Sequence, residues 1–186
     1  MIIESSRIYL EKLDERHLPN VLKWWNDSEV TKSMGFPNGM GVVIDKLKDR
    51  FLPQIERKND LLESRMYIIV DKTLNKPIGE LQYGQADFEL GSCRLGIKIG
   101  EHDARGRGLG KESLKLFINY LIRDLNMSTI DIDVFPENLP AVYAYKKLGF
   151  IEQETLSDFW TDETGTTHDL MMLKLEKKDW MFSDIN

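Results

Sequence analysis

The sequence predicts a mixed α/β domain in which helices cover both faces of a central twisted sheet of about seven strands. Three observations carry this prediction. Apolar residues alternate with period two in several short segments, as in strands. Other segments place apolar residues at helical spacing, and clusters of glycine, proline and asparagine separate the two kinds of segment. The elements follow the order β-α-α-β-β-β-α-β-α-β-β, so we expect a mixed sheet.

In the first part of the chain, polar residues separate the predicted strands and helices. Ile8 and Leu10 alternate with polar residues at the start of the first strand, and Asp14 is a suitable N-cap for the helix that follows. We expect strands over residues 7–13, 65–70 and 76–83, and helices over residues 14–26 and 43–57.

The second part alternates strands with helices. Phe117 and Leu121 belong to an apolar stripe at helical spacing, so a helix should run from the glycine-rich turn at residues 105–111 to about residue 126. Gly96 and Gly100 fit a bulge where one strand separates from its parallel neighbour, or Gly96 only avoids a packing clash. We expect a further helix over residues 137–147, and strands over residues 92–99, 129–135, 149–156 and 168–176.

Length and composition indicate one soluble domain over residues 1–186. Hydrophobic residues make up 41% of the chain and charged residues 30%, which is typical of globular proteins. No apolar run approaches the roughly 20 residues of a membrane span, so we expect no membrane partner. Cys93 is the single cysteine and has no internal disulfide partner, which suits a reducing cytoplasm.

The distribution of charge is more informative than its total. The net charge of −6 argues against nucleic acid as a partner. Residues 94–111 contain five cationic and two acidic residues, a local net charge of +3. Residues 152–169 contain six acidic residues and no lysine or arginine, a local net charge of −6. This division suits a basic site for an anionic ligand and an acidic rim for a cationic one, although an acidic hairpin also simply favours solubility.

The glycine-rich turn at residues 105–111 predicts a phosphate site. Its three glycines and three cations precede a helix, whose first N–H groups lack helical partners and lie at the positive end of the helix dipole. A Walker loop is disfavoured, because Arg105 and Glu112 replace its first glycine and its hydroxyl residue. A dinucleotide fingerprint fails at Lys111 and Ser113. A plain helix start with a flexible lead-in remains the alternative.

A second motif, Asn-x-x-Ala-x-x-x-Tyr-x-x-x-Gly-Phe, occupies residues 138–150. Together with the Arg-x-x-Gly-x-Gly run at residues 105–110, it resembles the GCN5-related N-acetyltransferase (GNAT) family. The resemblance is strongest over residues 92–152. Shorter matches resemble the ribosomal-protein (RimJ/RimL-type) and aminoglycoside 6′-N-acetyltransferase branches and lie at residues 7–10, 24–27 and 77–79.

The resemblance implies a GNAT-like fold, acetyl-CoA as cosubstrate and direct transfer of the acetyl group to an amine. Amides of the glycine-rich turn would hold the pyrophosphate, and the strand over residues 92–99 would pair with the pantetheine arm. The N–H group near Ile97 would then stabilise the developing oxyanion. The implied acetyl-CoA contacts are Ile97, Lys98, Ile99, Arg105, Gly106, Arg107, Gly108, Leu109, Gly110, Lys111, Asn138 and Tyr145.

Two residues are the implied acid–base candidates. Tyr145 stands where the family's tyrosine protonates the departing CoA thiolate; the alternative is a packed aromatic with its hydroxyl bonded to backbone. Asp133 matches an acidic acceptor-site residue of the aminoglycoside branch and would take a proton from the amine. Asp131 shares its face, and both are inert charges if that face is open to solvent. Many relatives carry Glu at the place of Arg94, and its absence here favours a water relay or Asp133 as the route for the proton. Asn138 should also cap its helix.

Histidine and cysteine favour neither a metal site nor a cysteine nucleophile. The histidines are too scattered for a metal site, so we expect no metal, and Cys93 has no evident partner base. Aromatic and methionine residues within 24–36 and 159–160 either line an acceptor pocket or belong to the core.

The leading hypothesis is an N-acetyltransferase for a cationic small-molecule or peptidyl amine that enters over loops 27–42 and 158–167. A non-catalytic acyl-CoA-binding sensor is the alternative, and a nucleotide hydrolase is disfavoured by the Walker mismatches. A homodimer is left open.

Overall fold

Eight strands form one mixed sheet in the computed structural model, which describes residues 3–57 and 62–180. They are β1 Ile3–Glu4, β2 Ile8–Lys12, β3 Arg65–Asp71, β4 Lys76–Asp87, β5 Ser92–Ile99, β6 Thr129–Val134, β7 Ile151–Thr161 and β8 Thr167–Glu176. From edge to edge they are ordered β1-β2-β3-β4-β5-β6-β8-β7. The predicted strands are confirmed, and the two-residue β1 is an addition.

Within the described residues five α-helices connect the strands, and four of them were predicted. Asp14 caps a short 3₁₀ turn that leads into the first helix, where its carboxylate accepts a hydrogen bond from the Arg16 amide at 3.2 Å. In the described part of the chain, no helix has both the length and the apolar character needed to cross a bilayer. The helices are α1 Leu18–Asn26, α2 Ser28–Thr31, α3 Ile44–Glu56, α4 Leu109–Arg123 and α5 Leu139–Lys147.

Two apolar cores lie on opposite faces of the sheet. On one face, α4 and α5 pack on the strands, and Phe117 and Leu121 are fully buried there. On the other face, α1 and α3 bring Trp24 and Leu47 against Ile68 of β3. Helices therefore cover both faces, which confirms the predicted fold class.

β5 and β6 form the one parallel pair in the described sheet, and their pairing is short. Three residue pairs join them, ending at Arg94 and Asp131. Beyond that point β5 continues against β4, and β6 continues against β8. The two parallel strands thus diverge, and we call this gap, bounded by residues 95–99 of β5 and 132–134 of β6, the fork.

The predicted bulge at Gly96 is wrong. The register between β4 and β5 is regular through this residue, and its shift lies in β4 between Gly84 and Asp87. Gly96 instead faces Gln82, whose Nε2 would lie 3.2 Å from a Cβ at that position. At Gly100, however, two consecutive amides donate to the carbonyl oxygen of Ile78 at 2.9 and 3.0 Å, the two-against-one pattern of a bulge.

Candidate functional site

The turn between β5 and α4 presents a row of free backbone donors. Gly106 and Gly108 have φ angles of 72° and 79°, a left-handed conformation that glycine adopts without steric cost. Gly108 is the N-cap of α4, and its carbonyl oxygen accepts from the Glu112 amide at 3.1 Å. Among the described residues, the amides of residues 106–111 find no protein acceptor. They are available to an anion at the positive end of the helix dipole, which supports the predicted phosphate site.

Both arginines of this turn contact protein groups. Arg105 donates to the carbonyl oxygens of Glu29 and Ile99 at 3.2 and 3.3 Å. Nη2 of Arg107 lies 2.9 Å from Oδ2 of Asp71, whose side chain is 1% exposed. These contacts hold the turn in place, and a direct role of either guanidinium in binding phosphate remains a prediction.

The first turn of α4 is also tied to the beginning of β2. The carboxylate of Glu112 accepts from Nε of Arg7 at 2.7 Å and from the Ser5 hydroxyl. Nη1 of Arg7 donates to the carbonyl oxygen of Arg107 at 3.1 Å. An acidic side chain in the first turn complements the helix dipole. Lys111, by contrast, has an exposed side chain beside the free amides.

β5 presents a free backbone edge along the fork. The Gly100 amide donates to Ile78 of β4 at 2.9 Å. Because backbone groups alternate in direction along an antiparallel pair, the N–H groups of Ile97 and Ile99 face away from β4 and toward the fork. The contact of Arg105 with the carbonyl oxygen of Ile99 agrees with this direction. The edge is therefore able to pair with an extended ligand, as the resemblance implies.

Asp133 lies in the fork, on the sheet face opposite the core formed by α4. Its Oδ2 accepts from Nη1 of Arg94 at 2.5 Å, so it is not an isolated surface charge. Oδ1 of Asp133 and Nε of Arg94 are buried atoms without a hydrogen-bond partner among the described residues. Burial raises the pKa of Asp133; the Arg94 guanidinium opposes this effect and the Asp131 carboxylate adds to it. A carboxylate with a raised pKa is a stronger base.

α5 carries two of the predicted site residues. Asn138 is its N-cap, and the Asn138 side chain accepts from the Ala141 amide at 3.4 Å, which confirms the predicted cap. Tyr145 is 7% exposed, and its ring centroid lies 6.1 Å from that of Phe150. Within the described residues its hydroxyl makes no hydrogen bond, so a ligand can use this donor. Burial raises the pKa of Tyr145 to about 12, which keeps the phenol protonated at neutral pH.

Sequence reasoning missed a buried ion pair beside the fork. Glu80 and Lys98 are directly opposite on β4 and β5, and Nζ of Lys98 lies 3.1 Å from Oε1 of Glu80. Nε1 of Trp25 donates to both carboxylate oxygens of Glu80, at 2.9 and 3.1 Å. The Lys98 side chain is thus committed to Glu80, and by the same alternation its backbone N–H and C=O groups face β4, so its contact with acetyl-CoA stays a prediction. The sequence feature that could have indicated this ion pair is a glutamate within an apolar strand.

The hairpin of β7 and β8 packs against the loop between α2 and α3. Nε1 of Trp160 donates to the carbonyl oxygen of Gly35 at 3.2 Å, and its ring centroid lies 5.7 Å from that of Phe36. Gly35 has φ 81°, and a Cβ there would lie 2.4 Å from Nε1 of Trp160. Phe36 and Trp160 therefore meet, whereas Trp24 and Trp25 are core residues, 0% and 5% exposed.

His168 links the same hairpin to the segment after β6. Its ring stacks on Phe135 with centroids 4.7 Å apart and planes 5° from parallel. Nδ1 contacts the Glu137 carboxylate, and Nε2 lies 3.2 Å from Oδ2 of Asp162. The hydrogen bond with Glu137 raises the pKa of His168; burial opposes this effect and Asp162 adds to it. No group of His, Cys, Asp or Glu side chains within residues 3–57 and 62–180 has the arrangement of metal ligands.

Cys93 does not have the properties of a nucleophile. Burial, with a contribution from Asp131, raises the pKa of its thiol to about 12. The reactive thiolate is therefore scarce at neutral pH.

The site combines a helix start with free backbone amides, a free strand edge next to it and a base candidate at the fork. These are the parts of a group transferase that binds an extended, phosphorylated donor. The chain belongs to the GNAT acetyltransferase family: the family model described as "Acetyltransferase (GNAT) domain" matches residues 7–151. This membership confirms the predicted acetyltransferase and acetyl-CoA as its cosubstrate.

Named relatives are similar over most of their length. The uncharacterized N-acetyltransferase p20 of Bacillus licheniformis is 26% identical over 179 residues, covering 95% of this chain and 96% of the relative. Aminoglycoside N(6′)-acetyltransferase type 1 of Klebsiella pneumoniae is 23% identical over 166 residues, covering 82% and 78%. The crystal structure of spermidine N-acetyltransferase from Vibrio cholerae, in complex with CoA and spermine, has the same fold. It superposes with a TM-score of 0.83 at 19% identity, covering 94% of this chain and 98% of that one.

Proposed function

We propose that this chain transfers the acetyl group of acetyl-CoA directly to a primary amine on a cationic small molecule or peptide. The observation that carries the proposal is the fork, which opens next to the free amides of residues 106–111. The named activities of two similar proteins support it, because aminoglycosides and spermidine are both cationic amines.

The cofactor is held mainly by backbone in this proposal. The amides of residues 106–111 bind the diphosphate, and the pantetheine arm lies along the free edge of β5. The thioester oxygen then accepts from the N–H group of Ile97. This donor stabilises the negative charge that develops on the oxygen during attack, because its direction is fixed by the sheet.

Asp133 takes a proton from the attacking amine. An amine with a pKa of about 10.4 is neutral in roughly one molecule in 2,500 at pH 7, a handicap of about 4.6 kcal/mol. The carboxylate lies at the fork, and burial raises its pKa, so it is a stronger base than an exposed aspartate. Water links it to the amine where the two are not in direct contact.

Tyr145 stabilises the departing CoA thiolate by a hydrogen bond. A thiol has a pKa near 8.5, so complete proton transfer from a phenol of pKa about 12 is uphill by about 5 kcal/mol. The hydrogen bond therefore supplies the main effect, and solvent delivers the proton after the thiolate has left.

Release of free thiol from acetyl-CoA, followed across a panel of primary amines, tests the proposal. We expect release that requires the amine, together with an acetylated product identified by mass spectrometry. Calorimetry measures acetyl-CoA binding in parallel. Binding without amine-dependent release would point to a non-catalytic acyl-CoA-binding sensor instead.

A further inference from the structure

We propose that Arg94 selects acceptors in which an oxygen atom lies two carbons from the reacting amine. An α-amino amide and a vicinal amino alcohol have this arrangement, whereas a polyamine carries no oxygen. The inference rests on the proposed function, because it names the acceptor class of the same site.

Arg94 is placed at the base of the fork. It is the last residue of β5 that pairs with β6, where it lies opposite Asp131. Its side chain reaches past this pair to Asp133, with Nη1 2.5 Å from Oδ2. An acceptor amine that approaches Asp133 therefore also approaches the Arg94 guanidinium.

Within the described part of the chain, each member of the Arg94–Asp133 pair has one buried side-chain atom that makes no hydrogen bond. Nε of Arg94 and Oδ1 of Asp133 are buried without a hydrogen-bond partner among the described residues. The first atom is a donor, and the second is an acceptor of an ionised carboxylate. A ligand that completes both bonds brings an N–H group for Asp133 and an oxygen for Arg94. This is the pattern of an amine with a neighbouring carbonyl or hydroxyl oxygen.

The sheet leaves space beside the Arg94 side chain. Gly84 lies directly opposite Arg94 on β4, and Gly96 follows two residues along β5, so both neighbours on that face lack a side chain. A Cβ at Gly84 would meet no atom closer than Cβ of Ser64, at 3.9 Å. Arg94 keeps 37% of its side chain exposed. A small rotation therefore brings its donors to a ligand in the fork.

The charges around the pair give a polycation no advantage. Asp131 lies on the same face as Asp133, and its Oδ1 is 4.0 Å from Nζ of Lys174. Two carboxylates and two cations thus balance in this cluster. A polyamine can donate to Oδ1 of Asp133, but it carries no oxygen for Nε of Arg94 and brings further positive charge beside the guanidinium. An amine with a neighbouring oxygen leaves Arg94 in place as a charge-assisted donor.

Relative kcat/KM values on glycinamide, glucosamine and spermidine test this inference. We expect the wild type to favour glycinamide or glucosamine over spermidine, and Arg94→Gln to shift that ratio toward spermidine by about tenfold or more. Lys174→Gln is the matched control, because Lys174 is also 37% exposed and forms an ion pair with the neighbouring carboxylate of Asp131 at 4.0 Å. It should shift the ratio by less than about twofold. Intrinsic amine reactivity cancels when variants are compared with the wild type.

Arg94→Lys is a second variant that keeps the inference testable if Arg94→Gln does not fold. Lysine keeps the positive charge but lacks the forked donors of arginine. We expect it to retain thermal stability and acetyl-CoA affinity while its acceptor ratio still shifts toward spermidine. A wild-type preference for spermidine, or an unchanged ratio in active Arg94 variants, would overturn the inference and leave the proposed function standing. If the wild type acetylates no amine, both the proposed function and this inference are contradicted.

Discussion

Nζ of Lys98 lies 3.1 Å from Oε1 of Glu80 and 4.7 Å from the ring centroid of Trp25. The two charged residues are 8% and 4% exposed, and Trp25 donates to both oxygens of the Glu80 carboxylate. A buried charge is tolerated when it is paired and hydrogen-bonded, as here. The pair joins α1 to the strand that borders the fork.

Lys98→Met should lower the free energy of unfolding by about 3–5 kcal/mol, because it leaves the buried Glu80 carboxylate without its counter-charge. Denaturant titration measures the loss. The double variant Glu80→Gln/Lys98→Met should recover much of it, since the unpaired charge is removed. Lys174→Met, at a partly exposed position, should cost less than about 1 kcal/mol. Equal losses in both single variants would contradict a special role for the pair.

Gly108→Val should weaken acetyl-CoA binding by about tenfold or more. Its φ of 79° is strained for any residue with a side chain, and relaxation would move the amides that cap the anion. Gly165→Val is the matched control, because Gly165 has φ 85° and open space at the tip of the β7–β8 hairpin. Both variants should lose stability, but only Gly108→Val should lose affinity in calorimetry. Unchanged affinity would place the diphosphate elsewhere.

Tyr145→Phe should lower kcat by roughly 100-fold while the Kd of acetyl-CoA stays within about twofold, because the lost hydrogen bond serves the departing thiolate. Tyr143 is on the same helix and 65% exposed, so Tyr143→Phe is the control and should be nearly silent. Stopped-flow thiol detection compares the variants. If Tyr145→Phe keeps the wild-type rate, the phenol does not serve the leaving group.

Asp133→Asn should reduce kcat/KM by roughly 100-fold and change the acidic side of the pH–rate profile. Burial raises the pKa of Asp133, so in the wild type this limb should lie above the ordinary aspartate range. Activity is present while the carboxylate is ionised and falls as pH drops through its pKa. Asp131→Asn should keep the limb but move it to lower pH, because the Asp131 carboxylate contributes to the raised pKa of Asp133. Identical profiles for the two variants would leave Asp133 without a role as base.

His168→Gln should remove a pH-dependent part of the stability. The folded pKa of His168 is raised, first by its hydrogen bond with Glu137, so the folded state binds the proton more tightly. This contribution is present below about pH 6.5 and is lost as pH rises through the folded pKa. Thermal unfolding at pH 6 and pH 8 should show a wild-type difference of about 0.2–1 kcal/mol that the variant lacks. A variant with the same pH dependence would contradict the assignment.

The sequence predicted seven strands and four helices because their periodicity extends over enough residues to be recognised. β1 and α2 were missed, since two and four residues carry no measurable period. The end of β7 was placed at residue 156 and lies at Thr161, because its residues are exposed on both sides and lack alternation. The bulge at Gly96 was predicted from the expected divergence of two parallel strands, whereas that glycine accommodates the Gln82 side chain, as the alternative of an avoided packing clash predicted.

For the site, local motifs located the turn, the cap and Tyr145, because each depends on neighbours within one helix turn. The alternation of β6 also placed Asp131 and Asp133 on one face. Contacts between distant segments were beyond this reasoning. The Arg94–Asp133 pair depends on where two strands stop pairing, a property of the folded sheet.

The short parallel pairing of β5 and β6 has a consequence for motion. Only three residue pairs join the amino-terminal half of the described sheet to its carboxyl-terminal half through main-chain contacts. Partial unfolding at this junction should therefore require the least free energy, and hydrogen exchange measures it. A pantetheine arm lying along β5 would stabilise both strands of the gap and slow hydrogen exchange on both sides of it. Binding of the acetyl donor would then also make this part of the sheet more rigid.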